Sequence, residues 1–491
     1  MRSIRWRFGI GIASSAMRLG ISVASMMTVA RLLGPVDYGR LTFLAASMAA
    51  FRQCLDLGTS TAFFTLVSGN HRGPAFLRRY WSWLALQLVV GMLTVGLVLP
   101  QEVFASLWTG EGRVLVALAL VATFTQGAVW NAASQLGEAN RETARTHAIA
   151  LAASATHLIA VIALWHWGIL AIWTIFAATA LEWGVASWAA ARLYRRGPHL
   201  GGAPEGSTRD FIREFASICL PLVPYGILGF GSQFGERWML QRWGGPEQQG
   251  LFGIAQQLST VAFVTTGALT PLLWKEAAVF QEGGETKRAT DLYASSSGFL
   301  FLASASLASM LIPWSGEILR AAAGQQYSGA VFTFTIMLLY PVHQSIGQAQ
   351  GALFYATRRA TMQVVLGSTT MLVGLVVSYA LLAPDSMSVP GLGLAAAGLA
   401  YRLVAVQAVS VTVADWILLG RRRCLRRFGL QVVLMGAMLL LATCLKASVT
   451  ILLPSTAHTV VGCAISCGAF VAAVVTIAYR CREGLLRVFT E

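Results

Sequence analysis

The feature that most constrains this chain is a succession of apolar runs, each about as long as a bilayer core is thick. A helix needs roughly 20 mostly apolar residues to cross that core. Fourteen runs meet the requirement: 8–31, 38–66, 80–100, 113–136, 144–166, 168–192, 212–240, 249–274, 290–315, 329–353, 360–383, 391–418, 428–452 and 457–479. Hydrophobic residues make up 56% of the 491 and charged residues only 12%, about half the ~25% of a soluble domain. Water would not tolerate the surface such a chain exposes. A soluble enzyme, a disordered chain and a disulfide scaffold are therefore excluded. The first run continues past 20 residues without a small-residue cleavage site and reads as an anchor, not a removable signal. Most of the seven cysteines lie inside apolar runs and read as small packing residues.

The net charge of +15 is a topology signal. If the N-terminus is cytoplasmic, the inner segments hold 26 of the 36 Lys and Arg and the outer turns hold five. That bias follows the positive-inside rule and predicts fourteen spans with both termini in the cytoplasm. A miscounted helix would scramble the alternation. A nucleic-acid partner is not needed to explain the charge.

The chain repeats itself. Gly34-Pro35-Val36-Asp37-Tyr38-Gly39 after span one is echoed by Gly245-Pro246-Glu247-Gln248-Gln249-Gly250 after span seven, at an offset of 211. Ala139-Asn140-Arg141-Glu142 is echoed by Ala356-Thr357-Arg358-Arg359 at 217. Six spans separate the copies, so both start on one side and form parallel repeats about an axis along the membrane normal. The expected fold is an all-α polytopic membrane protein. It has a six-helix bundle over 1–194, a cytoplasmic linker at 195–211, a second six-helix bundle over 212–420, and two further helices with a tail over 421–491.

An ionised side chain at the bilayer centre costs at least ~2.5–3.5 kcal/mol, so it faces a cavity or a partner. Arg18 lies in span one on a polar stripe with Gly11, Ser14, Ser22 and Ser25. Arg52 lies in span two with Asp56 at i+4, where the two fit either an ion pair or separate ligand roles. Glu182 lies in span six and Arg402 in span twelve, where they fit a mutual pair or cavity groups. Glu236 and Arg237 end span seven beside Trp238 and Trp243, as interfacial anchors or cavity groups. Gln256 and Gln257 (span eight) and His343 and Gln344 (span ten) complete the polar set. His343 is a candidate proton relay or a hydrogen-bonded helix contact, and His147 and His157 are weaker candidates. The deep charges are cationic or balanced, which suits phosphate or carboxylate cargo. Pro221, Pro224, Pro271 and Pro341 interrupt spans seven, eight and ten, which makes the second repeat the candidate half that bends.

Several activities lack their residues. No Gly-Lys dipeptide exists, so no Walker A loop drives transport. No cofactor motif is present. The outer turns are short and carry Glu102, Glu111 and Glu317 singly, too little for acid/base chemistry. No ring of like charge suggests a channel.

Three stretches carry a family resemblance: Ala30-Arg31-Leu32-Leu33-Gly34-Pro35-Val36-Asp37-Tyr38-Gly39, Asp56-Leu57-Gly58-Thr59-Ser60-Thr61-Ala62, and Ala323-Gly324-Gln325-Gln326-Tyr327-Ser328-Gly329-Ala330. Thr270-Pro271-Leu272-Leu273 adds to them. The chain resembles the polysaccharide flippases of the multidrug/oligosaccharidyl-lipid/polysaccharide exporter superfamily over spans one to twelve. The resemblance implies a transporter that is not an enzyme. Its cargo would be a polyprenyl-diphosphate-linked oligosaccharide, moved from the inner to the outer leaflet among membrane lipid, with a glycan polymerase or other assembly protein as a possible partner. Related lipid II flippases place cavity arginines on helices one, two and eight. Arg18 and Arg52 match the first two, whereas span eight here has Gln256 and Gln257, and Arg402 or Arg237 is the candidate substitute. The alternatives are a drug or metabolite antiporter of the same superfamily and a membrane glycan polymerase or ligase.

Overall fold

The computed structural model describes residues 4–69, 72–194, 207–263, 273, 276–357, 359–452, 462, 468 and 470. Among the described residues all regular structure is helical. The face richer in basic residues is called inner and the opposite face outer. Ten described stretches are long and apolar enough to cross a membrane. Two of them, Met17–Asp56 (40 residues) and Thr208–Ser259 (52 residues), are long enough at 1.5 Å per residue for two passes each. The sixth expected span is a helix of 23 residues, and the fourteenth lies outside the described residues except at 462, 468 and 470. Large side chains such as Leu97, Val114 and Ile451 are about four-fifths exposed. In water this would drive aggregation, but against acyl chains it is the ordinary surface of a multi-pass membrane protein.

The chain packs as two units, Met1–Gly250 and Leu251–Glu491. In the first, α1 (Ile4–Asp56) contains span one and the first part of span two, broken at Gly34 with φ 76° and ψ 170°. That backbone region is open essentially only to glycine, and Pro35 restarts the helix with a pre-set φ. A second break at Leu57 and Gly58 (φ 48° and 83°) separates α1 from α2 (Thr59–Gly69). Then come α3 (Pro74–Leu93), α4 (Gln101–Leu107), α5 (Arg113–Phe124), α6 (Trp130–Ala139), α7 (Thr143–His166) and α8 (Ile172–Tyr194). The unit ends with α9 (Thr208–Cys219), α10 (Val223–Met239) and the start of α11 (Gly245–Ser259). A Ser207–Asp210 capping box starts α9. The described linker ends there, since 195–206 lies outside the described residues. The inner half of this unit is held by stacked rings: Phe63 on Tyr80 at 3.9 Å, and Tyr80 on Phe215 of α9 at 5.8 Å.

The second unit holds α12 (276–282), α13 (Thr286–Leu311), α14 (Ser315–Ala323), α15 (Val331–Met337), α16 (Tyr340–Ala356), α17 (Ala360–Leu382), α18 (Ala395–Leu419) and α19 (Arg421–Leu452). The proline breaks occur where expected: a 3-10 turn at Leu220–Leu222 splits α9 from α10, and α16 restarts just before Pro341. Pro271 lies outside the described residues. Helix breaks are not confined to the proline positions. The first unit carries the Leu57-Gly58 break and π turns at Thr94–Val98 and Thr125–Val129, none of which needs proline.

The second sequence echo is a shared hydrogen-bond pattern. The Asn140 amide donates to the Leu136 carbonyl and the Glu142 amide to Gly137; 217 residues later Thr357 donates to Leu353 and Arg359 to Phe354. Both are helix C-terminal closures that satisfy otherwise orphaned carbonyls.

The thirteenth span packs on the second unit, with Met438 and Ala442 of α19 against Phe301, Ala305 and Val411. Its outer end is tied by Lys446, whose Nζ donates to Glu317 at 2.6 Å and to the Pro313 carbonyl at 2.7 Å. Burial raises the Glu317 carboxyl, but the Lys446 hydrogen bond, its backbone hydrogen bond and the Lys446 and Arg320 charges outweigh it and hold the group below the usual carboxylate value. The ionised form therefore stabilises the folded chain. That contribution is complete above the unfolded carboxylate range near pH ~4.3 and is lost as pH falls through the lower folded value. Glu317→Gln should lower the thermal midpoint in detergent at neutral pH, and the difference from wild type should vanish in strong acid.

Candidate functional site

The two Gly-Pro turns meet each other. Gly245 (φ 82°, ψ 175°) has nearly the geometry of Gly34, so the echo is conformational as well as chemical. A Cβ placed on Gly39 would lie 1.7 Å from the Pro246 carbonyl oxygen, and one on Gly250 would lie 2.0 Å from that of Pro35. Each turn thus offers its second glycine to the carbonyl after the other's first glycine, a self-complementary contact of the kind a two-fold axis produces. Close backbone approach needs glycine on both sides, and Cα–H···O contacts reward it. Arg40 locks the first turn by a bidentate pair with Glu111 (2.7 and 2.9 Å) and a bond to Asp37 at 3.2 Å.

From this outer contact α10 runs along α1. Trp238 Nε1 donates to the Ser106 carbonyl at 2.8 Å, and Gln233 donates to Gln53 at 3.0 Å. At the inner end Arg72 forms a bidentate pair with Glu214 of α9, at 2.5 and 3.1 Å. The seventh span is therefore fastened to the second and third near both faces. Glu236 is buried, with Ser232 donating to it at 2.9 Å, and Arg237 is half-buried beside it. Both sit at the outer contact, away from Arg52.

Arg18 is exposed on α1, at a depth where exposure means a wet cavity or lipid. Arg52 is half-buried and crosses α1 to α5–α6, where its Nη1 donates to the Gly127 carbonyl at 3.0 Å. Gly127 belongs to the π turn Thr125–Val129, and such turns release a carbonyl from the helical ladder. The glycine also makes room, because a Cβ there would lie 2.6 Å from Arg52 Nε. Arg113 serves the other π turn in the same way, donating to the carbonyls of Val95, Gly96 and Leu99.

Asp56 is placed otherwise than the ion-pair reading allows. Its Oδ1 accepts from the Thr59 hydroxyl (2.8 Å) and the Ser60 amide (3.0 Å), and its Oδ2 accepts from the Ser60 hydroxyl (2.7 Å). The carboxylate caps α2 at the Leu57-Gly58 break, and no ion pair within 4.0 Å joins it to Arg52. The local signal was Asp-x-x-Thr-Ser followed by an apolar run, an N-cap pattern. Glu182 has a partner within its own unit: its Oε2 meets His157 Nδ1 at 2.8 Å.

In the second unit Arg402 is buried, with its Nε donating to the Gly374 carbonyl at 3.3 Å and its guanidinium filling the space a side chain at Gly374 would take. Gln256, His343 and Gln344 are half-buried and Gln257 is exposed. A further polar cluster, not evident from the sequence, is buried near the inner end. The Tyr293 hydroxyl donates to Asp415, Gln350 Nε2 donates to Asp415 Oδ1 at 3.0 Å, and Arg427 donates to Ser297 at 2.8 Å. The available signal was a carboxylate, Asp415, inside the twelfth apolar run.

No family model and no curated protein matches the chain. Solved structures do. The inward closed conformation of the lipid II flippase MurJ superposes with a TM-score of 0.71 at 11% identity, covering 95% of this chain and 98% of that one. An outward-facing multidrug resistance MATE family transporter of the MOP superfamily gives 0.57 at 16%, covering 86% and 98%. A MOP superfamily transporter from Pyrococcus furiosus, described as having a binding pocket of reversed polarity, gives 0.52 at 15%, covering 84% and 95%. The chain has the fold these transporters share, and none of the three is described as an enzyme.

Proposed function

We propose that the chain is a flippase for a polyprenyl-diphosphate-linked oligosaccharide, moving it from the inner to the outer leaflet by alternating access in a bacterial inner membrane, with both termini cytoplasmic. One observation carries the reading: Arg18 and Arg52 stand on one helix-break-helix element, one exposed and the other with its Nη1 on a carbonyl that a π turn has released. A guanidinium fork matches diphosphate oxygens, and a carbonyl is a weaker partner than an anion, so an arriving diphosphate can displace it. The glycan travels in water and the polyprenyl tail stays in lipid. Cargo delivered this way feeds surface-polysaccharide assembly, where a glycan polymerase is the natural consumer.

Flipping of a fluorescent polyprenyl-diphosphate oligosaccharide in vesicles tests it. Losing one charge-assisted contact costs about 1.5–3 kcal/mol, or about tenfold and more. Arg18→Ala and Arg52→Ala should each lose about that much at normal protein levels. Gly127→Ala, which pushes the Arg52 guanidinium aside, should lose several-fold. Near-normal flipping in all three removes the site. Uptake of soluble cationic dyes without flipping would favour the antiporter reading.

A further inference from the structure

Among the polar groups the proposed cargo site does not use, one pair stands out. His157 of α7 and Glu182 of α8 meet at 2.8 Å, near the middle of their 24- and 23-residue helices. The Glu182 side chain is 6% exposed and that of His157 is 22%. Glu182 Oε1 is buried and has no hydrogen-bond partner among the described residues. A carboxylate whose role was only to fasten two helices would have both oxygens satisfied, because an unmet acceptor at this depth is costly. Here half of its capacity is open, beside an imidazole that reaches the surface of the unit.

The pair is electrically isolated on its own helices. On α7, Arg145 and His147 lie ten or more residues toward the inner end, roughly 15–18 Å away at helical rise, and His147 faces Glu138 of α6 at 3.8 Å. His166 is at the outer end. On α8, Arg192 lies at the inner end, over Trp188 at 4.2 Å. Of the helices packed against the two, α5 brings Arg113, which is bound to π-turn carbonyls at the outer end, and the π turn Thr125–Val129 brings no charge. The charges that α1 brings at mid-depth are Arg18, Arg52 and Asp56, each placed above and none bonded to the pair.

We propose that His157 and Glu182 form a single proton-binding site within the membrane, and that its proton drives cargo movement. Empty, the pair is imidazole plus carboxylate with a charge of −1; loaded, it carries one more proton and is neutral overall. The neutral form is the one a dry environment accepts, so proton binding favours conformations that bury the pair and release favours those that wet it. The coupling half of this inference rests on the transport reading above; the proton site does not.

Two measurements separate them. Purified protein in lipid nanodiscs, without cargo, is titrated from about pH 8 to about pH 5 with an indicator dye. Glu182→Gln and His157→Gln should each take up about one proton fewer than wild type, and the double variant should lose no more than either, because one coupled site is removed in all three. Glu182→Asp, which keeps the acid, should restore uptake. Equal uptake by wild type and both single variants overturns the site. In vesicles, an imposed pH gradient should accelerate wild-type flipping and leave Glu182→Gln indifferent. Lost uptake with no movement of lipid-linked cargo by wild type would leave the proton site standing and remove the flippase reading. A gradient response kept in Glu182→Gln would remove the coupling.

Discussion

A methyl group added at Gly39 or Gly250 is expected to reduce flipping to background while the protein still inserts and folds. The alanine Cβ would sit 1.7 or 2.0 Å from a backbone carbonyl oxygen of the facing turn. No rotamer relieves such an overlap, because neither partner is a side chain, so the turns must part by about 1 Å or more. Under alternating access the outer face has to close once per cycle, and both substitutions prevent the same closure. Their effects should therefore be non-additive, with Gly39→Ala/Gly250→Ala no worse than either alone. A cysteine at Gln53 or Gln233, deeper along the same helices, should react faster with an impermeant thiol reagent from outside in the alanine variants, in a background freed of the seven native cysteines. Wild-type flipping in Gly39→Ala would show that this contact does not move during transport.

The second large effect is on stability. Asp415 accepts from Tyr293 and Gln350, and the Arg427 guanidinium lies 5.8 Å from the centroid of the Tyr293 ring. Interhelical hydrogen bonds in membranes average only ~0.6 kcal/mol, so two of them do not make Asp415 important. Truncation does, because it leaves the buried Tyr293 hydroxyl without its acceptor, which costs about 1–3 kcal/mol. Asp415→Ala should lower the unfolding free energy in detergent by about that amount, whereas Asp415→Asn, which keeps an acceptor for the Tyr293 hydroxyl, should recover most of it. A loss under about 1 kcal/mol in Asp415→Ala would mean that the cluster is held by packing alone.

Some of the candidate site was legible and some was not, for physical reasons. The Gly-Pro echoes were visible because a φ above +60° with extended ψ restricts the residue to glycine, so backbone geometry leaves a mark on the sequence. Arg18 and Arg52 were visible because charge is rare in apolar runs. The partners were not. Asp56 and Arg52 stand one helical turn apart, and i+4 spacing favours a pair, but the Leu57-Gly58 break created an orphan helix start that bound the carboxylate more closely. His157 and Glu182 are 25 residues apart on different helices, and nothing local marks them as neighbours. Gly127 looked like any other glycine in an apolar run until the π turn and Arg52 were seen together.

The sequence by itself determined that this chain is helical and crosses a membrane many times, and that Gly34 and Gly245 break its helices in the same way. These follow from segment length, hydropathy and backbone sterics, each readable within a few turns of helix. Only the tertiary structure decided which polar groups meet: turn against turn at Gly39 and Gly250, Arg52 on Gly127, Glu182 on His157, Asp415 on Tyr293. Lipid gives an apolar helix face no preferred neighbour, so the pairing of faces depends on close backbone contact and on satisfying a few buried polar atoms, and both are properties of assembled helices.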